Sequence, residues 1–234
     1  MTRAACVLMV TMLLCACGGE HAGPAYFPLE PGLRWEYAVH EKNPVVDRTY
    51  VLEMRNLEAR ERDGERYARR LGSDGNEYWI LVGDKALARA GVRTAIDMEP
   101  RMDEKPRIVM QLPPAAEQWW EVESRPYILE RVEPFRERFS QDESKRVPLH
   151  MKVAALDETV EVPAGRFEKC LRLEGTGLLN VLADARIGAS EVPVTHTEWY
   201  APGVGLVKLI RKEVLDTQAI VGGTITMELT DFTP

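Results

Sequence analysis

Apolar and polar side chains alternate with a period of two over much of the chain, the signature of strands with one buried face. In Leu33–Val39, Trp35, Tyr37 and Val39 share one side, with Arg34 and Glu36 on the other. Thr49–Asn56 groups Tyr50, Leu52 and Met54; Thr224–Thr230 sets Ile225, Met227 and Leu229 against Thr224, Thr226, Glu228 and Thr230. Tyr78–Val82 is continuously apolar, which predicts a more deeply buried strand. Turn chemistry separates these runs. Asp63-Gly64, Asp74-Gly75 and Gly222-Gly223 are dipeptides that hairpins favour, Val82-Gly83-Asp84-Lys85 leads into Ala86–Ala90, and Val162-Pro163-Ala164-Gly165 divides Glu158–Val162 from Phe167–Glu174. Successive hairpins without helical spacers predict a mainly β domain with an antiparallel meander.

Helical signal is sparse. Leu178–Arg186 places Leu178, Val181, Leu182 and Ala185 on one helical face, without a good cap, and predicts one short helix. Gly91–Pro106 and Phe135–Pro148 are charged and weakly patterned, and read as long loops or frayed hairpins. Phe27 to Trp35 and Gln111 to Trp119 echo each other: each is a Pro-containing turn that delivers a Trp to the start of an alternating run, as the two halves of one sheet would require.

The segment THTEWYAPGVGLVKLI, Thr195 to Ile210, concentrates chemistry-bearing residues. Pro202 presets a turn and Gly203 and Gly205 permit positive φ, with β-rich sequence on both sides, so it reads as strand–turn–strand. A phosphate-binding loop would need a Lys and a following helix. On this reading His196 and Glu198 are neighbours on a solvated strand face, roughly 7 Å apart.

The amino-terminal residues change the picture from a domain to an exported one. Arg3 precedes an apolar run, Ala4 to Leu14, too short for the roughly 20 residues of a membrane span but suited to a signal peptide. Leu14-Cys15-Ala16-Cys17 resembles a bacterial lipobox. The resemblance implies removal of residues 1–16, lipidation of Cys17, and a flexible tether over residues 17–25 ahead of a β domain at 26–234. Gly18, where many Gram-negative lipoproteins retained in the inner membrane carry Asp, implies the periplasmic face of the outer membrane. Of the four Cys, Cys170 alone would then remain as a thiol, so neither an internal disulfide nor a cysteine zinc site is expected.

Charge and candidate chemistry narrow the function classes. The 234 residues carry a net charge of −7, and their basic residues are interrupted by acids, which argues against a nucleic-acid partner. No His pair has metal-ligand spacing. His196-Thr197-Glu198 shares its His-x-Glu spacing with zinc deaminases, but their Pro-Cys-x-x-Cys segment is missing. No Ser lies in a Gly-x-Ser-x-Gly elbow. Cys170 has Arg172 and Glu168 as same-face neighbours but no orienting group, and reads as a structural thiol. No catalytic residue, metal or cofactor is therefore expected. The aromatics Trp35, Tyr37, Trp79 and Trp199 are candidates to line an apolar cavity.

Three blocks carry a family resemblance: Tyr26–Leu29 through Gly32, Trp35 and Tyr37; Val162–Gly165 through Phe167 and Cys170; and Glu198–Lys208. They resemble a group of uncharacterised bacterial envelope proteins and lipoproteins, similar in architecture to the Lol-type lipoprotein carriers. The resemblance implies a single strongly curved antiparallel sheet, a half-barrel or open barrel with at most one or two short helices. It implies no activity, because one fold hosts many functions. The expected role is a non-enzymatic, membrane-anchored periplasmic lipoprotein that binds an apolar ligand or an envelope protein. The alternatives are an envelope assembly accessory without a cavity, and an envelope hydrolase.

Overall fold

The computed structural model describes residues 25–132, 135–141, 145–184 and 188–234. The lipobox, Cys17 and most of the tether lie outside them. The first half of the chain is a meander of six strands: β1 (Arg34–Asn43), β2 (Val46–Arg62), β3 (Glu65–Gly72), β4 (Glu77–Val82), β5 (Ala86–Arg93) and β6 (Arg101–Gln111). The second half opens with β7 (Trp119–Ser124). Two short strands follow, β8 (Glu130–Arg131) and β9 (Glu137–Arg138), then a 3₁₀ turn at Phe139–Gln141. Long strands complete it: β10 (Val147–Val162), β11 (Gly165–Asp184), β12 (Gly188–Ala201), β13 (Gly205–Asp216) and β14 (Ile220–Thr233).

One antiparallel sheet takes the order β6-β5-β4-β3-β2-β1-β14-β13-β12-β11-β10-β7. The first and last strands pair from Arg34–Thr233 to Lys42–Thr224. The sheet curls into a barrel that is nearly closed, with a single seam where β6 faces β7. Side chains span that seam: Gln111 Nε2 donates to the Trp119 carbonyl at 3.2 Å and Trp120 Nε1 to the Ile108 carbonyl at 3.3 Å. Each Pro-containing turn noted in the sequence leads into the first strand of a six-strand half, β1 or β7.

Register decides which side chains enter the lumen, because directly paired residues share a face. One row runs Tyr50, Val39, Met227, Leu209, Glu198, Leu173, Val153. The next runs Arg48, Glu41, Ile225, Arg211, His196, Gly175, Met151, Trp120. The concave face is thus apolar with an embedded polar stripe. The convex face is charged and laced by ion pairs such as Lys152–Glu174 and Lys208–Glu228.

Both ends of the lumen are covered. Phe27 and Leu29 are buried under one end, where Asn56 Nδ2 donates to the carbonyls of Pro28 and Glu30. Arg70 joins them: its guanidinium lies 4.3 Å from the Phe27 ring and 4.2 Å from the Trp35 ring, and donates to Asn56 Oδ1 and the Pro28 carbonyl. At the other end, the segment after β7 turns inward. Glu213 accepts hydrogen bonds from the backbone N–H groups of Tyr127, Ile128 and Leu129 at 2.7, 3.0 and 2.8 Å. The fully buried Arg211 donates to Glu213 and to the Arg125 carbonyl. Both Glu213 oxygens and all three Arg211 nitrogens are hydrogen-bonded, the condition under which burial of ions is tolerated.

Two expectations need correction. Leu178–Asp184 is not helical but the end of β11, with Leu179 paired to Val192 and Val181 to Ser190. Leu179 and Val181 are buried while Leu178 and Leu182 are exposed, the alternation of a strand that happens to mimic part of a helical period. Gly222-Gly223 is not a turn. It lies inside β14, where a Cβ on Gly222 would sit 1.9 Å from the Glu213 carbonyl oxygen and one on Gly223 2.2 Å from that of Lys42. These glycines let the backbones on either side approach closely. Of the two readings of Gly91–Pro106, long loop or frayed hairpin, the hairpin holds: the segment is the distal part of the β5–β6 hairpin, with Gly91 paired to Met102 and Val92 to Arg101. The other turns lie where the sequence put them; Asp63 and Gly64 take φ of 53° and 82° between β2 and β3.

Candidate functional site

The segment that concentrates chemistry in the sequence folds as the β12–β13 hairpin. His196, Glu198 and Tyr200 follow one another at every second position of β12 and point into the lumen. His196 Nε2 lies 2.9 Å from Glu198 Oε1, and the Tyr200 hydroxyl donates to Glu198 Oε2 at 2.9 Å. The expected solvated face is therefore wrong: His196 is 1% exposed. Alternation fixed the shared face correctly, but the lumen takes His196 and Glu198 while Thr195, Thr197 and Trp199 face outward. His196 Nε2 uses its hydrogen for the carboxylate. Its Nδ1 is buried with no hydrogen-bond partner among the described residues, and the ring meets the Tyr127 ring edge-on at 6.0 Å.

Two arginines enter the lumen from the first half. Arg89 on β5 and Arg107 on β6 are register partners. Burial opposes the Arg107 cation, but the Tyr127 hydroxyl and the Glu198 charge more than offset it and raise its pKa. Arg89 is pulled below the ordinary guanidinium value by burial and by the like charge of Arg107. Its Nη2 reaches Asp103 at 3.6 Å, and its Nε is buried without a hydrogen-bond partner among the described residues. Burial would raise the Glu198 pKa, yet His196, Arg107 and the Tyr200 hydroxyl hold it below the usual carboxylate range. Burial and the same carboxylate push the Tyr200 phenol well up, and burial brings the Tyr78 phenol to about 12.

These groups border a cavity of about 190 Å³. Phe27, Tyr37, Met54, Ile80, Ile108, Val109, Val122, Met151 and Leu206 supply its apolar wall, and Arg70, Arg89, Arg107, Glu198, Tyr78 and Tyr200 its polar groups. Ile108, Val109 and Val122 place it against the β6–β7 seam. A second, larger depression of about 430 Å³ lies at the Trp35 end of the barrel, among Arg34, Glu36, Glu53, Arg55, Asp231 and Thr233. Its mixed charges are of the kind any solvated surface offers. The smaller cavity combines an apolar wall with a few converging polar groups, the usual form of a ligand site.

The four aromatic candidates do not converge. Tyr37 lines the cavity, with its hydroxyl donating to the Leu206 carbonyl at 2.9 Å. Trp35 is buried beside it and donates to the Val204 carbonyl at 2.7 Å, against the Phe232 ring. Trp79 lies on the face opposite Tyr78 and Ile80, under Tyr67 and Arg69. Trp199 is on the outer face and donates to Glu158 Oε2 at 2.9 Å. Sequence reasoning missed Arg89 and Arg107. Their signals were faint: a lone Arg in the apolar run Leu87-Ala88-Arg89-Ala90, and an Arg at the head of Ile108-Val109-Met110, in a stretch without clear pattern.

Cys170 is fully buried, with its sulfur 3.5 Å from the Phe167 carbonyl oxygen. Burial and then the Glu158 charge push its thiol up, so the thiolate that nucleophilic chemistry needs is disfavoured. Arg172, which could have lowered it, is engaged with Glu158 and Glu174, each at 3.5 Å. Among the described residues, no three His, Cys, Asp or Glu side chains group as metal ligands.

No family model matches the chain, and no curated protein matches it. Two solved structures are similar to it. One is a provisionally assigned lipoprotein from Parabacteroides distasonis ATCC 8503, with 11% identity and a TM-score of 0.46 over 90% of this chain and 99% of that one. The other is a provisionally assigned exported protein with a YmcC-like fold from Bacteroides fragilis NCTC 9343, with 13% identity and a TM-score of 0.44 over 91% of this chain and all of that one.

Proposed function

We propose that this protein is a non-enzymatic envelope lipoprotein, tethered through Cys17 to the periplasmic face of the outer membrane, whose barrel lumen binds an apolar ligand. The observation that carries the reading is the cavity of about 190 Å³ within the lumen, walled largely by apolar side chains. Apolar side chains left uncovered in a cleft with a few converging polar groups are the usual setting of a small-ligand site. The non-enzymatic part rests on chemistry. The titratable groups at the cavity are held by one another, Glu198 by His196 and Tyr200, and Cys170 is sealed against backbone carbonyls. The anchor rests on the lipobox resemblance and the Gly at position 18.

The test is native mass spectrometry with solvent extraction on protein produced without residues 1–17. The ligand reading expects an apolar species that survives purification and leaves on extraction. Recovery of ligand-free protein only, from cells expressing it in the periplasm, would favour an assembly accessory.

A further inference from the structure

The lumen is walled like an apolar site but charged like an anion site. The chain as a whole is acidic, at −7, yet the cavity lining carries three arginines against one carboxylate. Arg70 is accounted for: it is stacked between two rings and hydrogen-bonded to Asn56 and Pro28. Arg107 is met in part, by the Tyr127 hydroxyl and the Glu198 charge, and Arg89 less so. They sit side by side across the β5–β6 ladder, where like charges repel. The one carboxylate in the lining, Glu198, already accepts from His196 and Tyr200. Asp103 reaches only Arg89, at 3.6 Å, and the Arg89 Nε has no hydrogen-bond partner among the described residues. Two neighbouring guanidinium groups beside an apolar cleft, one with an unpaired Nε and the other sharing Glu198 with His196, are costly for folding alone. They match a carboxylate, which accepts paired N–H donors and neutralises the repulsion.

We propose that the cavity binds a compact amphiphilic carboxylate, its head between Arg89 and Arg107 and its apolar body against Ile80, Val122 and Met151. The inference rests on the ligand reading above and names the class of ligand. Volume limits the body. A cavity of about 190 Å³ is somewhat larger than the roughly 150 Å³ void that accommodates benzene. It suits one short acyl chain or one substituted ring, and is too small for the several chains of a phospholipid or a lipoprotein anchor. The cavity also abuts the seam, where β6 and β7 are joined by side chains and not by a ladder, so a ligand can enter without breaking strand pairing.

The experiment compares octanoate with 1-octanol by titration calorimetry, on delipidated protein lacking residues 1–17. The expected result is octanoate binding at least about tenfold tighter than 1-octanol, the gain of a charge-assisted hydrogen-bonded pair. Arg89→Gln and Arg107→Gln, checked for native circular dichroism, should each erase most of that preference and leave 1-octanol affinity within about twofold. If the variants do not fold, the ratio for the native protein decides alone. Equal affinities, or a preference that survives both substitutions, overturn the carboxylate assignment and leave the apolar-ligand reading standing. Binding of neither compound overturns the assignment, and an apolar species still recovered by extraction would show that the broader reading survives it.

Discussion

Glu198 carries the polar part of the lumen, and its ionisation follows from three neighbours. Its folded pKa lies below the ordinary value because the His196 ring, the Arg107 charge and the Tyr200 hydroxyl together outweigh burial. A carboxyl lowered in the folded state stabilises the protein above its unfolded pKa, and that stabilisation is lost as pH falls through the folded value. Stability should therefore decline as pH drops below about 4.5, the ordinary value for Glu. Glu198→Gln should cost about 1–3 kcal/mol at pH 7, by removing the charged acceptor, and should flatten that decline. Glu41 and Glu77, also held low by arginine pairs, retain the rest of it. The check is the urea midpoint measured from pH 7 to 3; parallel curves for the two proteins would refute the assignment. The His-x-Glu spacing was visible in the sequence and its shared face could be read from alternation. Which face the barrel would bury could not, because Thr195, Thr197 and Trp199 are no more polar than His196 and Glu198.

Elements are held by features of unequal legibility. Hairpin turns with Asp-Gly or Pro-Ala-Gly were legible because their backbone conformation is local. The tail of β11 was not, because Leu178, Val181, Leu182 and Ala185 satisfy a helical spacing over two turns, and only pairing with β12 selects the strand. Gly222 and Gly223 mislead for the same reason: glycine marks close approach as well as turns, and of the approaching strands β13 is the hairpin partner while β1 is distant in sequence. Gly222→Ala places a Cβ within 1.9 Å of a backbone oxygen, which no rotamer change relieves. It should cost about 3 kcal/mol in a denaturant titration, whereas a turn glycine would lose far less. Glu213 anchors a different element, the inward segment at Tyr127–Leu129. Glu213→Ala strands the buried Arg211 charge and should cost about 3–5 kcal/mol. Hydrogen exchange separates this local anchor from a general weakening: the amides of Tyr127, Ile128 and Leu129 should be deprotected more than those of β1, and uniform deprotection would argue against the anchor.

At the scale of the whole molecule, curvature could not be read from any one segment. It follows from β1 pairing with β14 across nearly the full chain and from the register shifts within the ladders. That curvature gives the molecule a concave apolar face and a convex charged one, and the convex face bears on how the protein meets a membrane. A lipid-facing barrel shows an apolar outer band. Here the outward positions carry Glu121, Glu123, His150 and Lys152, with ion pairs between Lys152 and Glu174 and between Arg172 and Glu158. Loss of Arg3 with a signal peptide would take the net charge from −7 to −8, so anionic lipid should not attract the domain either. Among the described residues, no helix is long and apolar enough to cross a bilayer. On the proposed anchor, membrane association should depend on acylation at Cys17, because each buried methylene contributes about 0.8 kcal/mol and several chains together suffice for stable attachment. In cells fed a labelled fatty acid, Cys17→Ala should lose the acyl label and leave the membrane pellet, with its fold unchanged by circular dichroism. If the unlabelled variant stays in the pellet at the native level, the convex face or a partner holds it there, and the anchor assignment fails.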